Sequence, residues 1–462
     1  MMRKPAFWIL STLLSIGCIS FAVKYFPDAF PLVSLDLRMD RDQALSRAAE
    51  LAENHGWGPE SYDQAASFEL DGLTQHYVEL EAGGNEAFSA MLTGDLYAPY
   101  KWEVRHFQQG EIRQVRIFFT PAGEFYGFRE QLPEDEAGPA LEKEAALAIA
   151  EAASSQFGIE LGVYQRIEAS QEIRPGGRVD HRFVYERPAP QVGEGHYRLR
   201  LEVGGERLTG LVHFVKVPEG FSRRYQEMRS ANNTIAAGAS IFMSIVYILG
   251  SIVGLFFLLR QGWVLWRTAL YWGLFVAALQ ALAALNQLPL SWMGYDTAVT
   301  TTAHIVDQLL GAAAIFVGMT LLLTLSFIAA ESLSRRAFPH HVQLWRLWSP
   351  AAGSSPQVLA GTIGAYLLVG FTFAYVVAFY FLNSRLLDWW SPSGILFEPN
   401  VLAVHFPWFN ALALSLQAGF WEECLFRAVP LAGAALLGQR FGHRRLWIGA
   451  AFLIQIAIFG AL

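Results

Sequence analysis

Apolar positions follow two different patterns along the 462-residue chain. An apolar run, Ala6–Val23, follows Arg3 and Lys4 at the start. Residues 24–234 mix apolar and polar positions at helix and strand spacing. From Ile235 the chain returns to long apolar stretches. A membrane span needs about 20 mainly apolar residues. The stretches 235–259, 268–285, 305–330, 358–382, 407–438 and 446–462 are the candidates. The 407–438 stretch exceeds one straight span, so a tilt, or a break near Gly419 or Pro430, is expected. The first run is longer than the apolar region of a signal peptide and is read as an uncleaved anchor, residues 1–23, with its N-terminus in the cytoplasm. Ser20-Phe21-Ala22 is a small-x-small site that would alternatively allow cleavage after Ala22. Gly17-Cys18 makes a poor lipoprotein signal.

Residues 24–234 read as an α+β domain. Asp42–Glu53 is an Ala/Leu-rich helical pattern with Gly56 as its stop, and Glu142–Ser155 is another with Gly158 as its stop. The two superimpose at a constant offset of 102 residues: Ala44 on Ala146, Leu45 on Leu147, Ala48 on Ala150, Gly56 on Gly158. Strand-like runs follow, among them Gln114–Phe119, His196–Val203 and Leu208–Lys216, the last two joined by a Gly204-Gly205 turn. A duplicated unit of helix followed by antiparallel sheet is one reading. The other is that any Ala-rich helix ending in Gly aligns this way. The pattern, with Leu-Pro-Glu-Asp-Glu at 132–136 before the second helix, resembles PepSY-type modules.

Charge sharpens the division. Residues 24–234 carry 22 Lys+Arg and 34 Asp+Glu, whereas 235–462 carry 10 and 7. The chain as a whole is 53% hydrophobic and 16% charged, against roughly 25% charged in a soluble protein. A uniform soluble protein is excluded. A nucleic-acid binder is not expected, because no basic face is available to neutralise phosphates. With the N-terminus and the 331–357 loop inside, the inner loops hold Arg260, Arg267, Arg335, Arg336, Arg346, Arg440, Arg444 and Arg445, and the outer loops only Arg385. That asymmetry obeys the positive-inside rule and places 24–234 outside the cytoplasm. Tryptophans near span ends (Trp263, Trp266, Trp345, Trp348, Trp389, Trp390) fit an interfacial belt. The fold expected is an all-α polytopic membrane bundle with an N-terminal extracytoplasmic α+β domain, residues 235–400 forming transmembrane helices and 401–462 a distinct segment. The lipid bilayer is its first partner. Cys18 and Cys424 lie in apolar segments and build neither a disulfide framework nor a Cys-based zinc site.

One cluster carries chemistry: Trp421-Glu422-Glu423-Cys424-Leu425-Phe426-Arg427. A charge at mid-bilayer costs roughly 2.5–3.5 kcal/mol on insertion scales, so all three charges are expected to face a bundle interior or a wet cavity. On an α-helix Glu423 and Arg427 are i,i+4, about 40° apart, in the favourable acid-first order. Glu422 lies about 140° from Arg427 and has no partner on its own helix. Desolvation would raise its pKa, as suits a general base. An ion pair that only locks two helices would account for Glu423 and Arg427 but not for Glu422.

Glu-Glu-x-x-x-Arg in a membrane helix, here followed by Ala428-Val429-Pro430, resembles the first motif of the CPBP family, the CAAX prenyl protease and bacteriocin-processing (Abi) intramembrane endopeptidases. The resemblance covers about the last 55 residues. It implies hydrolysis of peptide bonds in a peptide or membrane-protein substrate. Glu422 would activate the attacking water, and Glu423 and Arg427 would hold the site in shape. Ala428 stands where the family often has Gly. The family's second motif, Phe-x-x-x-His, would begin at Phe459 and place its histidine directly after Leu462, with a second histidine on a later span. The expectation is therefore that the chain is C-terminally truncated and incomplete as a catalyst. The resemblance leaves the metal open: zinc or another divalent ion, or none. The rival reading is a non-catalytic membrane scaffold, immunity or transporter-like protein that uses the Glu/Arg cluster for packing or proton relay. His304 with Asp307, His405, His340-His341 and His443 are read as interfacial or loop residues. The histidines of the first domain show no HExxH spacing, and no Walker A loop or Gly-x-Ser-x-Gly elbow occurs.

Overall fold

The computed structural model describes residues 5–340, 349–387, 389–394 and 396–461, without the side chains of 246–253 and 458–461. Arg3, Lys4, His341, Trp345, Arg346, Trp348 and Leu462 lie outside the described residues.

Helix α1 spans Pro5–Ala29 and so continues beyond the expected boundary at residue 23. Then comes α2 (Arg41–His55). Its start is fixed by a capping box, in which the Asp40 side chain accepts from Gln43 N while Gln43 accepts from Asp40 N. Its end is set by Gly56 in the left-handed region at φ 62°, which a Cβ would disfavour. Strand β1 (Asp63–Leu70), helices α3 (Gly72–Glu81) and α4 (Gly84–Thr93), and strands β2 (Tyr100–Phe107), β3 (Gln114–Phe119) and β4 (Phe125–Gln131) complete a first unit. Helix α5 (Lys143–Gln156) and strands β5 (Gln165–Ile173), β6 (Val179–Glu186), β7 (His196–Gly204) and β8 (Arg207–Lys216) form a second. Both helices sit where the 102-residue offset places them.

The eight strands form one antiparallel sheet in the order β1-β2-β3-β4-β8-β7-β6-β5. Each unit is a helix followed by a four-strand meander. The two meanders meet through their last strands, β4 and β8, so their first strands are the two edges. At the seam, a Cβ on Gly127 would collide with the Leu211 carbonyl oxygen, and glycine permits the close approach. One sheet face packs under α2 and α5 around Phe68, Trp102, Phe128, Phe183, Leu199 and Leu201, all fully buried. The other face is polar.

Two residues after β8 begins α6 (Glu219–Arg260), one continuous 42-residue helix. The expected span at 235–259 is therefore the distal part of a helix rooted in the sheet domain. Helix α7 (Trp266–Asn286) follows, then a turn α8 (Leu288–Ser291), α9 (Thr301–Ala337), a turn α10 (Pro350–Gly353) and α11 (Pro356–Leu386). Helices α12 (Pro407–Glu422), α13 (Val429–Phe441) and α14 (Arg444–Ala461) end the described chain. Among the described residues, α1, α7, α9 and α11 are long and apolar enough to cross a membrane. Helices α1 and α11 pair closely: Ser15 Oγ donates to Leu367 O at 2.9 Å, and Ser15 and Ile19 fill the space where a Gly370 side chain would stand. Helices α6, α7, α9 and the segment around Cys424 share a second apolar cluster.

The two ends of the helices are distinct. The sheet domain packs against segments 287–301, 389–394 and 396–403. At the other end the Arg336 guanidinium lies 4.0 Å over the Trp263 ring, and Arg444 donates to Ala337 O at 2.8 Å. Arg336 and Arg444 thus lie at the end away from the sheet domain.

Candidate functional site

The 407–438 stretch is broken at neither Gly419 nor Pro430. Helix α12 passes at Glu422 into a π-helical turn, Glu423–Ala428, and continues as α13. Its position is fixed from α7. Asn286 Nδ2 donates to Phe406 O and Asn410 Oδ1, both at 2.9 Å, and Phe406 N donates to Asn286 Oδ1 at 2.9 Å. Gln280 Nε2 donates to Ala413 O at 2.7 Å. Buried amides of this kind are costly unless partnered, so they set the register of the two helices.

Arg427 and Glu423 form the expected i,i+4 ion pair. Of the two surroundings expected for these charges, the bundle interior does not hold for this pair, whose side chains are 61% and 54% accessible. Cys424, with Phe420 and Trp421 beside it, takes the face that packs on Leu323 and Phe327 of α9. The pair satisfies its charges locally and needs no partner from within. Glu422 is half-buried, and its side chain has neither a hydrogen bond nor an ion pair among the described residues. Glu422 closes α12 while the pair lies within the π turn, a kind of turn that recurs at functional sites.

A third carboxylate belongs to this neighbourhood and was not singled out by sequence. Glu331 of α9 pairs with Arg335 at 3.0 Å, has a mostly buried side chain, and stands within electrostatic reach of the Cys424 thiol. The signal was present: it is another acid-first i,i+4 Glu/Arg pair.

The histidines lie elsewhere. His405 precedes α12, whose start is roughly 22 Å along the helix from Glu422, and His443 follows α13, whose end is roughly 28 Å away on the other side. His304 meets Ser291 Oγ at 3.0 Å and the Trp292 ring at 4.4 Å, and Asp307 is exposed. His340 is exposed at the far end of α9. Among the described residues no group of three His, Cys, Asp or Glu is placed to hold a metal ion.

The loop leading into α12 is held from the sheet domain. The buried Glu79 carboxylate on α3 accepts from Trp390 Nε1 at 3.0 Å, Ser393 N at 3.2 Å, Gln75 Nε2 at 2.8 Å and Ser393 Oγ. On the opposite flank, Arg105 Nη1 of β2 donates to the carbonyls of Trp292, Met293 and Tyr295 at 3.0, 3.2 and 2.7 Å. No protein-family model, curated protein or solved structure matches this chain.

Proposed function

We propose that the chain is a membrane protein that hydrolyses peptide bonds within or beside the bilayer, with Glu422 activating the water. One observation supports this over a packing role: Glu423 and Arg427 satisfy each other, and the neighbouring Glu422 is left without a partner at a π turn. An unpaired carboxylate is available to take a proton, while a paired one is not. The Glu-Glu-x-x-x-Arg resemblance to CPBP endopeptidases supplies the reaction class. In this reading residues 30–234 are extracytoplasmic, and the arginine-rich ends of α9 and α13 face the cytoplasm.

Glu422→Gln in the full gene product should abolish peptide-bond cleavage in isolated membranes while leaving folded yield unchanged. Glu423→Gln and Arg427→Ala should lower yield instead, each leaving one charge of the pair alone. An active Glu422→Gln protein overturns the assignment. For the sidedness, a cysteine at Ile173 should be labelled from outside intact cells and one at His340 should not.

The scaffold reading has its own support in the outward-facing Glu423/Arg427 pair, which suits a contact with another helix. It predicts that Glu422→Gln changes no turnover of any membrane protein, read by quantitative membrane proteomics.

A further inference from the structure

The polar face of the sheet carries a row of arginines, part of which has no full partner within the fold. Strand registers align Arg105 of β2 with Arg116 of β3, Arg116 with Arg129 of β4, and Arg129 with Gly210 of β8. The row continues from Gly210 to Glu202 of β7 and from Glu202 to Arg182 of β6. Like charges directly opposite one another destabilise a sheet. Three successive arginines and a fourth three strands on are therefore a cost, which contacts elsewhere offset only at Arg105 and Arg116.

The charges in this row do not cancel. Arg105 is engaged by the 292–295 carbonyls, and Arg116 pairs with Glu103. Beyond them a single carboxylate, Glu202, faces three guanidinium groups: Arg182 Nε at 3.2 Å, Arg200 Nε at 3.2 Å and Arg129 Nε at 3.5 Å. All three approach through Nε. The outer forks of Arg129 and Arg182 reach no acceptor among the described residues, and both side chains are half-exposed. Arg200 Nε is buried and off-line for a hydrogen bond. Burial, and then the nearby Arg129 and Arg182, hold the Arg200 guanidinium below its ordinary value, with Glu202 opposing. Gly210 leaves the centre of the row hollow, since a Cβ there would lie 2.9 Å from Glu202 Oε2.

The row opens into a concave groove of about 1080 Å³. Besides the arginines its walls offer neutral hydrogen-bonding groups: Gln114, Gln131, Ser170, Gln171 and Thr209. Glu130, Glu134, Asp135, Glu172 and Asp180 line it as well. Glu130 is held by Arg113 and Arg207, and Glu134, Glu172 and Asp180 by Arg174, so these acids are engaged within the fold. They disfavour a densely charged phosphate chain but leave the outer forks of Arg129 and Arg182 open to a few carboxylates. The amides and hydroxyls match a peptide backbone. The row also runs from the edge docked on the helices toward the free edge β5, away from the span ends where lipid headgroups would lie.

We propose that this groove binds an extended acidic peptide segment, with its carboxylates bidentate on the outer forks of Arg129 and Arg182 above Gly210. The site is independent of the hydrolytic reading and is tested without it. The full chain in detergent is titrated against a fluorescein-labelled decapeptide of alternating glutamate and serine, and anisotropy is followed. Binding should be saturable and should weaken as salt rises. Arg129→Gln with Arg182→Gln should weaken it by about tenfold or more without lowering the thermal unfolding midpoint. Glu202→Gln, which removes the internal competitor, should tighten it. Equal binding of a glutamine-serine peptide overturns the proposal, as does indifference to the arginine pair. Tighter binding of polyphosphate or of phosphatidylglycerol vesicles than of the acidic peptide also overturns it, by assigning the arginines to phosphate.

Discussion

The two helix-and-meander units of the sheet domain share their layout, but their outer strands end in different surroundings. Strand β1 of the first unit is buried along Ala65–Phe68 and is covered by Trp292, Met293, Tyr295, Leu402 and Ala403 from the segments between helices. Strand β5 of the second unit is exposed along nearly its whole length. The first unit also inserts α3 and α4 between its first two strands, and α3 carries the Glu79 grip on Trp390 and Ser393. The second unit closes the same connection with a short turn. One layout thus serves once to hold the helices and once to present a surface. Arg105 and Arg182 show the same divergence at side-chain level. They occupy one register row in corresponding strands of the two units, yet only Arg105 donates to backbone carbonyls of the helical half.

The largest test of this comparison is at the seam both units share. Phe128→Ala removes a fully buried ring stacked 3.8 Å from Trp57. It should cost about 3–5 kcal/mol and loosen both units together, as followed by circular dichroism on heating. Independent melting of the two units would show that the seam does not couple them.

Arg105→Met should come next. It strips three carbonyls of their donor and should cost about 1.5–3 kcal/mol. Hydrogen exchange should rise in 292–297 while β5 and β6 stay unchanged. Arg182→Met in the corresponding strand should leave exchange unchanged everywhere.

A smaller effect appears with pH. Burial holds the imidazole of His106 at about 4 and that of His213 at about 4, the latter with help from the Lys101 ammonium, against an ordinary 6.5. The unfolded chain takes up these protons first. Their contribution is present above about 6.5 and is lost as pH falls toward 4, at no more than about 1.4 kcal/mol per pH unit for each group. Burial raises the pKa of Glu103 and of Glu130, which works in the opposite sense. The urea midpoint should therefore fall less between pH 6.5 and 5 in His106→Gln than in the parent. An identical fall would assign the slope to other groups.

The smallest effect belongs to the free edge. Ile173→Lys on β5, at a residue 73% exposed, should change stability by less than about 0.5 kcal/mol. Ala65→Lys on β1, which is fully buried, should instead detach the helical segments and expose 292–297 to protease.

What the sequence determined by itself was local or compositional. The segregation of charge separated a sheet domain from an apolar half. The stop residue Gly56 ended α2, and the 102-residue offset located α5. The i,i+4 spacing paired Glu423 with Arg427, because partners one helical turn apart need no information from elsewhere in the chain. Strands β3, β7 and β8 were visible from their own patterning. The sheet order, the β4–β8 seam and the covering of β1 were not, because strand partners and register depend on segments far apart in sequence. The same reason hid the arginine row: Arg116, Arg129 and Arg182 look like scattered surface charges until register brings them into line. The outward turn of Glu423 and Arg427 was likewise a tertiary outcome, since only packing against α9 decided that Cys424 would take the inward face.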